Sequence, residues 1–177
     1  MEILQTIEDF PATYPDAPAD LSTEAAALDP DALWRRIEAY IAHRWTERQV
    51  AWIVEGPGCF TPTLTPATIT SVEIWQTGEW QSVTLSPAPL GQVLPGAGPY
   101  RFTANVGAGT VPPDVMAAFR RLAEYLRKSG EDTSPGSRST GVSMGEINLS
   151  TERAPTWIAR ALDYSGAADL LRPYRRV

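Results

Sequence analysis

The chain has 177 residues, of which 43% are apolar and 20% charged, and it carries a formal net charge of −6 at neutral pH. That balance fits a folded, soluble domain with a sizeable core and excludes a disordered polyelectrolyte. No run of 18 or more apolar residues occurs, so no transmembrane helix and no membrane partner is expected.

Charge is distributed unevenly. Residues 1–31 hold eight acids and no Lys or Arg, whereas the remaining 146 residues hold fifteen bases and thirteen acids. Acid gathers at the front and base at the very end, which suits a subunit meeting different neighbours at its two ends. Cys59 is the only cysteine, so no internal disulfide is available, and MEILQTIEDF lacks the basic flank of a signal peptide. A reduced, cytoplasmic place of synthesis is expected.

Residues 1–28 form an acidic, proline-rich N-terminal arm. Pro11, Pro15 and Pro18 break any continuous helix, so the arm reads as extended, with a short helix around Thr23–Leu28. Asp29-Pro30-Asp31 is a helix start: an N-cap, a proline in the first turn and an acid near the positive end of the dipole. Leu33, Trp34, Ile37, Tyr40, Ile41 and Trp45 then recur at helical spacing, predicting a helix through Trp45.

Beyond Thr46 the period changes. Val50–Val54 is a short apolar run bounded by Gly56-Pro57-Gly58 and reads as a buried strand. Ile69–Trp75 and Trp80–Leu85 read as a hairpin around Thr77-Gly78-Glu79, and Tyr100–Val106 as a further strand. From Val111-Pro112-Pro113-Asp114 a helix follows, with Val115, Met116, Phe119, Leu122, Ala123 and Leu126 on one face and Gly130 at its end. Residues 129–153 have the composition of a flexible linker, with a short extended piece at Gly145–Leu149. A last helix is expected from Ala154-Pro155 to about Tyr164, weakened at Ser165-Gly166, before the terminal LLRPYRRV. The fold class is therefore α+β: helices packed with a small antiparallel β-meander inserted between them. The segments are 1–28 (arm), 29–128 (helix–meander–helix core), 129–153 (linker) and 154–177 (C-terminal helix and basic arm).

Chemistry-bearing constellations are absent from this reading. His43 is the only histidine, so a metal site of several imidazoles is excluded. Nothing local marks the Cys59 thiol as activated. GPG at 56–58, PGAGP at 95–99 and NVGAGT at 105–110 lack the Lys-Ser/Thr and spacing of a phosphate loop, and the last reads as a strand-to-helix turn. Arg35-Arg36 and Arg120-Arg121 are short basic pairs on predicted helices, too little for a nucleic-acid face. No catalytic residue, cofactor or metal is expected, and the chain is read as non-enzymatic.

The strand and turn YRFTANVGAGT, the helix VPPDVMAAFRRLAEYL, a flexible stretch, a short helix and a terminal LLRPYRR come in an order that resembles the head–tail connector, or adaptor, proteins of long-tailed double-stranded DNA phages and of gene transfer agents. The resemblance covers roughly residues 29–177. The helix from residue 29 corresponds to the one preceding the meander in that family. Where the family opens on a longer helical region, this chain has a short, acidic, proline-broken one.

The resemblance implies a structural subunit of the neck of a virion or gene transfer agent particle, in a homo-oligomeric ring of about twelve copies. Its C-terminal segment reaches the portal protein, its opposite face receives a stopper-like neck protein, and DNA passes through the channel without sequence recognition. The docking arm then comprises Trp157, Ile158, Leu162, Leu170, Leu171, Arg172, Pro173, Tyr174, Arg175, Arg176 and Val177. Its apolar members serve as anchors and its guanidinium groups fork onto carboxylates. The alternatives are another neck ring, stopper or tail terminator, and an unrelated small binding domain or hydrolase.

Overall fold

A computed structural model of the chain describes residues 1–131, 139–144, 147–152 and 156–175. The fold is α+β, with helices and antiparallel sheets, and it divides into two compact units. No helix among the described residues is long and apolar enough to cross a membrane.

The first unit, built from Met1–Pro15 and Ala42–Thr110, is a β structure. Its strands are β1 (Glu2–Glu8), β2 (Arg48–Glu55), β3 (Gly58–Phe60), β4 (Ala67–Gln76), β5 (Glu79–Ser82), β6 (Ser86–Ala88), β7 (Gly91–Leu94) and β8 (Tyr100–Val106). Five of them form a sheet in the order β1-β2-β8-β4-β5, and three form a second sheet in the order β3-β7-β6. Alternation dictates the core. Val50, Trp52 and Val54 on β2 point the same way as Tyr100, Phe102, Ala104 and Val106 on β8, and all are buried. Phe60 and Leu94 of the smaller sheet close over them, with the Phe60 ring 4.2 Å from that of Phe102. Each such large side chain contributes about 1.5–3 kcal/mol by leaving water. The Trp52 indole N–H donates to Thr63 Oγ1 at 2.9 Å, so its polar atom is satisfied inside the core.

Two expectations change here. Residues 2–8 do not form part of an arm: they are β1, paired antiparallel with β2 from Glu2↔Glu55 to Glu8↔Val50. The Glu8 carboxylate accepts from Arg44 Nε at 2.6 Å and from Arg48 Nη1 at 3.2 Å, and both arginines are buried. Ile3 packs against the core. The acidic front of the chain is thus tied down by one of its own acids. The sheet order also departs from a strict meander, because β8 enters between β2 and β4, where Phe102 and Ala104 gain neighbours on both sides.

The second unit, from Asp16–Ile41 and Val111–Arg175, is mainly helical. It contains α1 (Thr23–Ala26), α2 (Pro30–Tyr40), α3 (Pro113–Glu131), the paired strands β9 (Ser139–Met144) and β10 (Ile147–Glu152), α4 (Ala161–Tyr164), α5 (Ala167–Leu171) and a 3-10 turn at Arg172–Tyr174. Asp29 caps α2 as expected, its Oδ1 accepting from the Asp31 N–H at 3.0 Å. Leu33, Trp34 and Ile37 from α2 and Val115, Ala118, Phe119, Leu122 and Ala123 from α3 are buried, with Trp34 and Phe119 rings 5.0 Å apart.

α2 stops at Tyr40 rather than Trp45. Ile41 is extended, with φ −118° and ψ 161°. The next residues spend their backbone groups on Thr65: Thr65 N–H donates to Ala42 C=O at 2.9 Å, and Arg44 N–H to Thr65 C=O at 2.8 Å. Those bonds compete with helix continuation, so Trp45 is buried without lying on a helix. At the other end, α3 runs through Gly130 to Glu131, and β9 and β10, expected within a linker, pair antiparallel from Ser139↔Glu152 to Met144↔Ile147. Val142, Met144, Ile147 and Leu149 carry a strand period in the sequence that the glycines and serines around them obscure. Residues 132–138, 145–146 and 153–155 lie outside the described residues.

Candidate functional site

The expected docking arm starts within a helix from Ala154-Pro155. In the structure residues 156–160 form turns, and regular helix begins at Ala161. Gly166 then breaks the helix in two. It holds φ +71°, a conformation open to glycine, and an added Cβ would come within 3.3 Å of Arg121 Nη1. The same Nη1 donates to the Gly166 carbonyl at 3.2 Å. Arg121 therefore staples the break between α4 and α5 to α3.

Beyond that break the segment lies on its own unit. Ala161, Ala167 and Leu171 are fully buried. Leu171 is thus a core residue of the helical unit rather than an anchor held out for a partner; its spacing from Ala167 puts both on the buried stripe of α5. Trp157 is half-buried, with its ring 5.9 Å from that of Tyr125, and Arg36 Nη2 donates to the Ile158 carbonyl. Leu162 and Leu170 are half-buried.

Two contacts fasten the end. The Tyr174 hydroxyl lies 3.1 Å from both Asp114 carboxylate oxygens, to which it donates. Burial, then the hydrogen bond and charge of Asp114, hold the phenol above the usual tyrosine pKa. The Arg175 guanidinium stacks over the Tyr40 ring at 4.5 Å and donates to its hydroxyl at 3.2 Å. Asp114 and Tyr40 were legible only as a helix-opening acid and as part of an apolar face. Their role as seats for residues 60 and 135 positions away carries no local signal.

Four of the expected arm residues remain outward. Ile158, Arg172, Pro173 and Arg175 are exposed, and Arg172 pairs with Asp169 at 3.1 Å while both side chains stay more than 70% in solvent. Such a pair is weak, so its guanidinium is readily recruited by another carboxylate. Arg176 and Val177 lie outside the described residues. Among the described residues no group of three or more His, Cys, Asp or Glu is placed to hold a metal ion. His43, expected on a helix side, instead lies after α2, its ring 4.8 Å from Trp45, and burial followed by the Arg44 charge lowers its pKa.

Comparison of the chain with protein-family models finds no match, and comparison with curated proteins finds none either.

Proposed function

We propose that the chain is a structural adaptor subunit of a head–tail connector. It forms a ring below a portal protein, presents its C-terminal segment to that portal and its other face to the next neck protein, and lets DNA pass through the shared channel. The C-terminal segment is the observation that carries this reading. A short helical run ends in a turn whose backbone is fixed by Leu171 and Tyr174, while Arg172 and Arg175 stand exposed at its tip. A preorganised basic tip loses little entropy on meeting a carboxylate-bearing surface. The order of the strand Tyr100–Val106, the glycine turn and the long helix from Pro113 supports the same reading.

Docking is then a property of the turn and not of a whole detachable arm. The test is co-purification with the portal protein of the same genome. The full chain should be retained on the portal. A triple Arg172→Ala, Arg175→Ala, Arg176→Ala variant should lose retention with its circular dichroism unchanged. Equal retention of the two proteins, or no retention of the full chain, overturns the reading.

A further inference from the structure

The five-stranded sheet has β1 at one edge and β5 at the other, and among the described residues no further strand pairs with either. An open edge is a template for another strand unless something covers it. Exposed large apolar side chains gather at both edges of this sheet. Leu4 and Ile7 on β1, and Trp75 beside β5, each keep between 43% and 52% of their surface in solvent.

These side chains share a face where it matters. Ile7 pairs with Ala51, Ala51 with Thr103, and Thr103 with Ser71. Ser71, Glu73 and Trp75 follow one another at the strand period of two, and Trp75 pairs with Trp80. Ile7 at one edge and the Trp75–Trp80 pair at the other therefore lie on the same side of the sheet, opposite the core. The two indole rings meet edge to face at 5.3 Å, with the Arg101 guanidinium 4.6 Å over Trp80, so the second edge carries a rigid aromatic corner. On the core side of that edge the packing is not closed: a pocket of about 470 Å³ is lined by Ile74, Val83, Leu85, Pro95 and Tyr100 among others.

The two edges also match in length. β5 has four residues, Glu79–Ser82. A register shift at Leu4 leaves Gln5–Glu8 as the unbroken part of β1. That stretch is held rigid by the Glu8 bonds to Arg44 and Arg48. Three strands lie between the edges and every neighbouring pair is antiparallel, so β1 and β5 run in the same direction. A copy added by rotation about an axis along the strands therefore meets its neighbour in parallel.

We propose that copies of this chain associate edge to edge, β1 of one copy pairing in parallel with β5 of the next, in a register that sets Ile7 beside Trp80. The contact is heterologous, so each added copy leaves one β1 and one β5 edge open until the assembly closes. It supplies the subunit contact that the connector reading needs, and rests on that reading only for closure into a ring.

The test is sedimentation velocity on the full chain, alone and as the variants Ile7→Glu and Trp80→Glu, each checked for fold by circular dichroism. The unmodified chain should form species larger than a monomer that grow with concentration. Each variant alone should remain a monomer, and an equimolar mixture should give a 1:1 dimer that grows no further, since only one edge of each is intact. A monomeric unmodified chain, or a mixture that stays monomeric, overturns the proposal. Assembly of Trp80→Glu alone but not Ile7→Glu indicates β1 pairing with β1 and overturns it too. Where a charge unfolds the unit, Ile7→Cys and Trp80→Cys in a Cys59→Ser background replace it: the mixture should crosslink on oxidation and neither variant should do so alone. No portal enters these measurements, so loss of portal binding and loss of self-association are read separately.

Discussion

The Tyr174 hydroxyl is equidistant, at 3.1 Å, from the two carboxylate oxygens of Asp114, sixty residues earlier at the start of α3. The contact fixes the last turn of the described chain to the first turn of its longest helix. Tyr174→Phe keeps the ring and removes the donor. A hydrogen bond to a charged group at a half-buried site contributes about 1 kcal/mol, so the variant should lose about that much stability in urea. The amides of Leu171, Arg172 and Tyr174 should exchange faster. The pH dependence has a definite sign. The folded-state pKa lies above the ordinary value of 10.0, so the phenol's contribution is complete below pH 10 and is lost as pH rises through the raised value. The stability difference between the chain and Tyr174→Phe should therefore shrink in strongly alkaline buffer and be constant near neutrality.

Leu171 separates the packed part of the C-terminal segment from its exposed part. It is fully buried, whereas Arg172 next to it is 78% exposed in its side chain. Leu171→Ala should cost about 2–4 kcal/mol by transfer and cavity terms. Arg172→Ala should change stability by less than about 0.5 kcal/mol. Removing residues 170–177 should unfold or loosen the helical unit, while removing 175–177 should not. Thermal melts of the truncations distinguish these outcomes.

Much of the core could be read from periodicity. The apolar runs of β2 and β8, the Thr77-Gly78 hairpin, the Asp29-Pro30 helix start and the buried face of α3 all follow from residues close in sequence. The misreadings share a cause, a partner far along the chain. Glu8 reaches Arg44 and Arg48 at separations of 36 and 40 residues, which makes a strand of what composition alone gives as an acidic arm. Thr65 ends α2 by taking the backbone bonds that Ala42 and Arg44 need for a helix. Leu171 and Tyr174 look like free anchors until α3 is beside them. Of the expected site residues, Arg172 and Arg175 are exposed and Leu171 is buried, a difference that only the packing against α3 decides.

Glu8 carries an unusual load, one carboxylate facing two arginines whose side chains are 7% and 2% exposed. Glu8→Gln keeps the shape and removes the charge, leaving two buried guanidiniums with less compensation. Breaking a buried pair in this way costs about 3–5 kcal/mol, an upper range here because Glu8 itself is 25% exposed. The comparison is Glu73→Gln, whose partner Arg101 is 34% exposed and also stacks on Trp80. That change should cost about 1 kcal/mol or less. Equal losses in denaturant for the two variants contradict the assignment of Glu8 as the anchor of β1.

On the acid side the sensitive group is Glu124. Its carboxylate accepts from the Ser22 N–H at 2.8 Å and Ser22 Oγ at 3.1 Å, and Arg127 pairs with it. The Ser22 backbone bond is the largest of the causes that lower its pKa. A depressed carboxylate stabilises the folded state above its ordinary value of 4.5, and that contribution is lost as pH falls through the lowered value. Glu124→Gln should therefore remove part of the acid sensitivity of the segment around α1, read as amide exchange at Ala25 and Ala26 between pH 5 and pH 3.

The turn Asn105–Thr110 holds two glycines with opposite tolerance. Gly107 has φ +105°, its N–H donates to the Pro66 carbonyl at 3.0 Å, and a Cβ there would lie 2.2 Å from the Thr46 carbonyl oxygen. Gly109 has φ +91° and nothing within 4 Å of an added Cβ. Both conformations disfavour an L side chain, by about 1–2 kcal/mol each. Only at Gly107 does backbone also stand in the way, and that backbone is pinned between β2 and the turn, so it cannot retreat cheaply. Gly109→Ala should fold with a loss of about 1–2 kcal/mol. Gly107→Ala should lose more than about 3 kcal/mol. Urea melts followed by tryptophan fluorescence, with Trp52 in the adjoining core as a reporter, measure both. A Gly107→Ala protein as stable as Gly109→Ala contradicts the close approach of Thr46.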